Sequence, residues 1–319
     1  MRTLDELKDF YQVTLLDDLK LLEQQRKEVV RKIHYVGIGS VCTLVISLIL
    51  TYSYLPHQPV LIILPIIGIA ALCGFICKFM CRDYVCWFKA MVIEKLVKFM
   101  NENLEYRPND CIDKSIFMMS KIFRTEPNRY KGDDLVRGTV GRTRIKFSEL
   151  NAEHESGSGK NRRRYTVFKG LFFVGDFNKH FIGQTIVLPD KAEKLLGRFG
   201  KKLQAMNIFR GQLVKLEDPE FEKEFAVYGS DQIEARYVLS TSLMERILKF
   251  KRRTGKKIYL SFIGSMVFVA VSYTKDLFEP KIFRSLLRFG PIREYFEDLS
   301  LAIGIVDELN LNTRIWSKQ

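Results

Sequence analysis

Two runs of side chains without one formal charge, separated by three residues, constrain this chain more than any other feature. The first is YVGIGSVCTLVISLILTYSYL, residues 35–55, and the second opens as PVLIILPIIGIAALCGFIC from Pro59; only PHQ lies between them. Read as helices over residues 35–55 and 59–80, each is long enough, at ~1.5 Å rise per residue, to cross a hydrocarbon layer of about 30 Å. One such run could be the core helix of a soluble protein. Two in tandem with so short a link read as a transmembrane hairpin. A cleaved signal peptide does not fit, because a charged segment of some thirty residues precedes the first run and is too long for a signal n-region.

The basic residues orient the hairpin. Arg26, Lys27, Arg31 and Lys32 precede the first run, Lys78, Arg82 and Lys89 follow the second, and the link carries only His57. Positive charge gathers on the cytoplasmic side of short loops, so both termini are expected in the cytoplasm, with a tight turn outside and Tyr52 and Tyr54 at the outer interface. Cysteine and tyrosine are the only ionisable side chains in the uncharged runs 35–55 and 59–77. A proton or ion path usually needs more, so the hairpin reads as an anchor. Cys73, Cys77 and Cys81 share a helix face by their spacing, but with no histidine near and no C-x-x-C they read as small apolar side chains, and no metal set is assigned.

Both apolar runs extend into charged helices. Leu4, Leu7, Tyr11, Leu15, Leu19 and Leu22 recur at helical spacing before the hairpin, as do Tyr84, Phe88, Met91, Val92, Leu96 and Phe99 after it. The expected use is mutual packing as an antiparallel stalk. The alternative for Leu4–Leu22 is a protein partner or self-association. EYRPND, residues 105–110, ends the stalk, since the residue before a proline avoids the helical region. The domains are therefore read as 1–108, hairpin with stalk, and 109–319, a cytoplasmic α+β domain.

Within that domain SIFMMSKIF suggests a short helix, and DDLVRGTVGRTRIKFSEL, RRRYTVFKGLFFVGDF, QTIVLP, QLVKL and EFAVYG read as strands rich in β-branched and aromatic residues. The polar stretch NAEHESGSGKNRRR is expected to be a mobile insertion, with His154 lacking a second metal ligand nearby. After EFAVYG, Ser230 or Asp231 can cap one helix, and Ser242 with Glu245 can form a capping box at the start of a second that stops at Gly255. KKIYLSFIGSMVFVAVSY is the clearest hairpin, turning at Gly264–Ser265 between two runs apolar enough to lie mid-sheet. Ile292, Tyr295, Leu299, Ile303, Val306 and Leu309 then form the stripe of a C-terminal helix, with Pro291 suited to its first helical position, Asn310 at its end and Trp316 beyond. The fold class is α+β: a mostly antiparallel sheet or partly open barrel, of which a pleckstrin-homology-like arrangement is one form, with C-terminal helices.

This layout, with DPEFEKEFAVYGSDQIEARYVLSTSLMERI (Asp218–Ile247) and FKGLFF (Phe168–Phe173), resembles an uncharacterised family of bacterial inner-membrane proteins that pair a transmembrane hairpin with a cytoplasmic domain. The resemblance implies a multi-pass protein of the bacterial inner (cytoplasmic) membrane. It implies no activity and no catalytic residues.

Three function classes remain. The chain has 51 Lys and Arg against 37 Asp and Glu, a formal charge of +14, which favours an anionic partner. The cluster Lys249, Lys251, Arg252, Arg253, Lys256 and Lys257, with Arg162–Arg164 and Lys201–Lys202, is the candidate surface for anionic lipid head groups. A membrane-anchored binding or scaffold module is the leading reading. The alternative is a membrane-tethered enzyme with an unrecognised site near Asp231, Glu234 and Arg236; no P-loop, dinucleotide, zinc-protease or nucleophile-elbow motif accompanies them, and no cofactor or catalytic residue is assigned. Nucleic-acid binding through the two short helices ranks lower, because the second offers mostly Leu, Met, Ile and Phe rather than base-reading polar groups.

Overall fold

The computed structural model describes residues 2–54, 60–157, 159–177, 180–189 and 211–312. The PHQ link, Lys201–Lys202 and Trp316 lie outside the described residues. The chain divides into two compact units, one built from Arg2–Leu96 and Phe278–Tyr295, the other from Val97–Leu277 and the residues from Phe296 on.

In the helical unit, α1 (Leu4–Phe10) starts at a reciprocal cap: Glu6 N–H donates to Thr3 Oγ1 at 3.2 Å, and Thr3 N–H donates to Glu6 Oε2 at 2.6 Å. A π turn at Tyr11–Leu15 leads into α2 (Leu16–Tyr54). Helix α3 (Val60–Phe88), with Pro65 inside it, passes through a second π turn at Lys89–Ile93 into α4 (Glu94–Met100). Helices α2 and α3 pack together. The stripe residues Leu7, Leu15, Leu19 and Leu22 are fully buried, as are Phe88, Val92 and Leu96, and an Asp18–Lys95 ion pair ties the two stalk helices. Both helices are long and apolar enough to cross a membrane, and none of their most apolar stretch is buried.

A third element completes the stalk, one that hydrophobic periodicity does not reveal. The 278–295 segment lies against these helices. Tyr11 Oη donates to Leu287 O at 2.7 Å and its ring meets Phe289 edge-on at 5.5 Å. Phe88 packs on Tyr295, and Lys89, almost wholly buried, pairs with Glu279 at 2.9 Å.

The other unit holds a nine-stranded, wholly antiparallel open sheet in the order β1-β2-β3-β4-β9-β8-β5-β7-β6. Its strands are β1 (Leu104–Arg107), β2 (Arg129–Val140), β3 (Thr143–Ser156), β4 (Arg163–Asp176), β5 (Gln184–Pro189), β6 (Gln212–Val214), β7 (Phe225–Gly229), β8 (Ile258–Ile263) and β9 (Met266–Ser272). Interspersed are α5 (Lys114–Met119), α6 (Pro219–Glu224), α7 (Gln232–Val238) and α8 (Thr241–Thr254), and α9 (Phe289–Glu308) follows the sheet. The structure is thus an open sheet rather than a barrel. The stalk helix ends at Met100, and EYR, expected only to close the stalk, forms edge strand β1.

Alternation explains the core. Leu150, Ala152, Phe168, Phe172, Val174, Phe268 and Ala270 share one face with α5's Phe117, while Leu171, Phe173, Val267, Val269 and Val271 are buried on the other. Both faces of β4 and β9 are covered, which is why those strands read as unbroken apolar runs. The β8–β9 turn is the expected two residues, with Gly264 at φ +59°, a conformation that glycine adopts without a Cβ penalty.

Both flanks of the insertion expected at 151–164 are instead paired strand, with Ser158 outside the described residues. Pairing runs from Asn151↔Lys169 to Ser156↔Arg163. Glu155 explains it, ion-paired with Arg129 at 3.1 Å, with Arg164 at 3.8 Å and with Arg162. Opposite charges facing across strands stabilise such a ladder.

Candidate functional site

The segment Glu224–Lys257 does fold as a strand feeding two helices, β7, α7 and α8. Its polar residues have structural partners. Asp231 caps α7, its carboxylate accepting from Ile233 N at 2.7 Å and Glu234 N at 3.0 Å. Glu234 reaches back to the loop before β5 and accepts from Ile182 N and Gly183 N, both at 2.9 Å. A Cβ at Gly183 would stand 2.3 Å from Ser230 Oγ and 2.5 Å from Glu234 Oε2, so a larger residue would push both side chains aside. Ser230 Oγ accepts from Gln184 N at 2.9 Å. Arg236 Nε donates to Lys215 O at 3.3 Å. The three side chains therefore engage three different backbone segments and do not converge on a common point. At α8, Ser240 rather than Ser242 is the cap, accepting from Leu243 N, and Gly255 closes the helix at φ +63°.

The six-residue basic cluster lies at the end of α8 and just beyond it. Half of it is already ion-paired. Lys251 pairs with Glu224 and sits over the Phe225 ring at 4.8 Å. Arg252 pairs with Glu220 at 2.8 Å, and Arg253 with Glu308 at 2.9 Å. Lys256 lies 4.1 Å from the Tyr273 ring centroid. Lys249 and Lys257 are exposed. Exposed pairs of this kind contribute at most about 1 kcal/mol each, but they lower the net positive charge that the cluster presents. Of the other basic group, Arg162 and Arg164 pair with Glu155 as described. His154 Nδ1 lies 2.8 Å from Glu126 O and its ring 5.4 Å from that of Tyr165.

A buried polar centre in the sheet was not singled out from the sequence. Glu149 on β3 is only 7% exposed. Its Oε2 accepts from Leu277 N at 2.8 Å, across 128 positions of sequence. Opposite it on β2 is Asp133, at a bulge where Asp134 is fully buried with φ +58° and bonded to the Tyr106 hydroxyl. Lys169 pairs with Asp276 at 2.8 Å beside this group. Burial raises the Glu149 carboxyl, the Leu277 amide lowers it, and the charges of Asp133, Asp276 and Asp134 raise it further, so that it titrates at about 7. A lone acid inside a strand carries no sequence signal for this, because the groups that shift it come from β2 and from the chain after β9.

Residues 166–311 match the model of a family described as protein of unknown function (DUF3137). No curated protein matches the sequence. Among solved structures, the crystal structure of the mycobacterial trehalose monomycolate transport factor A, TtfA, superposes with a TM-score of 0.32 at 8% identity, over 66% of this chain and 94% of that one. A superposition of that quality does not establish a shared fold. The class defined by these features is an α+β protein with two membrane-compatible N-terminal helices and a sheet domain of unknown function.

Proposed function

We propose that the protein is a membrane-anchored binding or scaffold module of a bacterial inner membrane. The hairpin α2–α3 spans the bilayer, both termini are cytoplasmic, and the sheet unit is the tethered cytoplasmic domain. One observation carries the reading: the apolar stretches of both helices are bare. Ile38 is 60% exposed, Val41 63%, Ile67 60% and Phe75 71%. In water so long an apolar surface has no stable state, whereas in hydrocarbon it needs no cover. The basic residues on both stalk ends and the family resemblance support the orientation and the compartment.

The cluster Lys249, Lys251, Arg252, Arg253, Lys256 and Lys257 would then face anionic head groups weakly, since half of its charge is compensated within the fold. Asp231, Glu234 and Arg236 serve the fold and offer an enzyme no common cleft. The test is a pair of fusions at residue 312, one to a reporter active only outside the cytoplasm and one to a reporter active only inside. Inside-only activity, with the chain resisting alkaline carbonate extraction, is the expected result. Outside activity, or extraction into the supernatant, refutes the anchor.

A further inference from the structure

The helical unit carries a shallow, open, two-part depression along one face of α2. Its polar half, about 400 Å³, is lined by Lys27, Arg31, His34 and Tyr35 with Arg26 and Val30. Its apolar half, about 480 Å³, is lined by Gly37, Ile38, Val41, Cys42 and Phe283, and His34 belongs to both halves. Residues 27, 31, 34, 38 and 41 recur every three or four positions, so they form a continuous stripe. Fifteen residues separate Lys27 from Cys42, roughly 22 Å at 1.5 Å each. The stripe runs from cations to hydrocarbon across the point where the first apolar run begins, at Tyr35.

From this depression we infer a binding site for an anionic phospholipid, its phosphate on Lys27, Arg31 and His34 and one acyl chain in the groove beside Phe283. The inference rests on the hairpin crossing the bilayer. Charge complementarity selects the occupant. Arg26 is consumed by the fold: it holds Glu23 through two bonds at 2.9 and 2.7 Å and donates to Ile282 O at 2.9 Å. Lys27 and Arg31 are exposed and, among the described residues, make no ion pair. His34 Nδ1 lies 2.9 Å from Val30 O. With Nδ1–H donating to that carbonyl, Nε2 is left as an acceptor in the neutral ring and as a donor to phosphate in the protonated one. Tyr35, 66% exposed, stands at the level where tyrosine favours the interface.

The wall is built before any lipid arrives. Glu23 Oε2 accepts from Leu286 N at 3.3 Å while Arg26 holds Ile282 O, which pins the loop on both sides of Phe283. Phe283 is 74% exposed, so its ring is open to an acyl chain. A Cβ at Gly37 would meet nothing within 4 Å, as at Gly39, Gly68 and Gly74. The missing side chain at Gly37 does leave the groove floor open.

The test uses the full chain in nanodiscs of equimolar phosphatidylglycerol and phosphatidylcholine, released into native mass spectrometry. The wild type should retain phosphatidylglycerol at least tenfold over phosphatidylcholine. Lys27→Gln with Arg31→Gln should lose most of that preference. Gly37→Leu, which fills the groove without touching a charge, should lose retention of either lipid. Lys78→Gln with Arg82→Gln, on the other stalk helix, should keep it. Equal loss in the two charge pairs means diffuse interfacial attraction and overturns the site. Unchanged retention in Gly37→Leu overturns it too. So does displacement by millimolar inorganic phosphate, which would assign the cations to a free anion. A dimer mass that vanishes in Gly37→Leu with lipid retention intact gives the groove to a second copy and also overturns it. Carbonate extraction of the same membranes separates the two claims. Extracted protein removes the anchor and the site together, whereas protein that stays in the pellet but shows no lipid preference removes the site alone.

Discussion

Replacing Glu149 with glutamine should stabilise the sheet unit above neutral pH and do little in acid. The carboxyl is raised from 4.5 to about 7, chiefly by burial. A raised carboxyl binds its proton more tightly in the folded than in the unfolded chain. Between pH 4.5 and 7 the folded state therefore carries more protons, and stability falls as pH rises through that window. At 1.36 kcal/mol per pH unit the full loss is about 3 kcal/mol, complete above pH 7. Glutamine cannot ionise, and its carbonyl still accepts from Leu277 N, where Glu149 Oε2 now does at 2.8 Å. For a unit of this size about 3 kcal/mol corresponds to roughly 6–12 °C in Tm. The assay is thermal unfolding of the full chain from pH 5 to pH 8, followed by the far-ultraviolet signal of the sheet. The expected result is a gap between Glu149→Gln and wild type that opens by that amount as pH rises. A gap independent of pH would mean that Glu149 is not protonated in the fold, and the account of its burial would fail.

Two further outcomes follow from the geometry. Glu234→Ala should destabilise the sheet unit by about 1–3 kcal/mol, because the amides of Ile182 and Gly183 lose their charged acceptor; a variant as stable as wild type would reopen a catalytic role for Glu234. Cysteines at Asp18 and Lys95, in a background free of the other cysteines, should be joined by a short bifunctional linker because the parent side chains form an ion pair; no product would argue against the antiparallel stalk.

Much of the architecture was legible because it is written in local patterns. The length and apolarity of residues 35–55 and 59–80 specify two long helices whatever surrounds them. The stripe of Leu7, Leu15, Leu19 and Leu22, the Gly264–Ser265 turn and the caps before α7 and at the end of α8 depend on neighbours within a few positions. Each requires only backbone geometry and the spacing of one face. The strand-helix-helix order of Glu224–Lys257 and the antiparallel α+β class are written in the sequence for the same reason.

What the tertiary structure decided is which charges meet. Glu155 helped turn the flanks of an expected mobile insertion into paired strand by gathering Arg129 from β2, Arg164 from β4 and Arg162 just before it. Lys251, Arg252 and Arg253 found acids on α6 and α9, so a cluster that reads as six free cations is half compensated. Glu149 holds its proton to about pH 7 because the fold buries it and sets Asp133, Asp276 and Asp134 near it, and Phe283 became the wall of a groove because Arg26 and Glu23, far away in sequence, hold its loop. Electrostatic and hydrogen-bond partners act over a few ångströms of space regardless of separation along the chain, so composition and periodicity name the charged residues but not their companions.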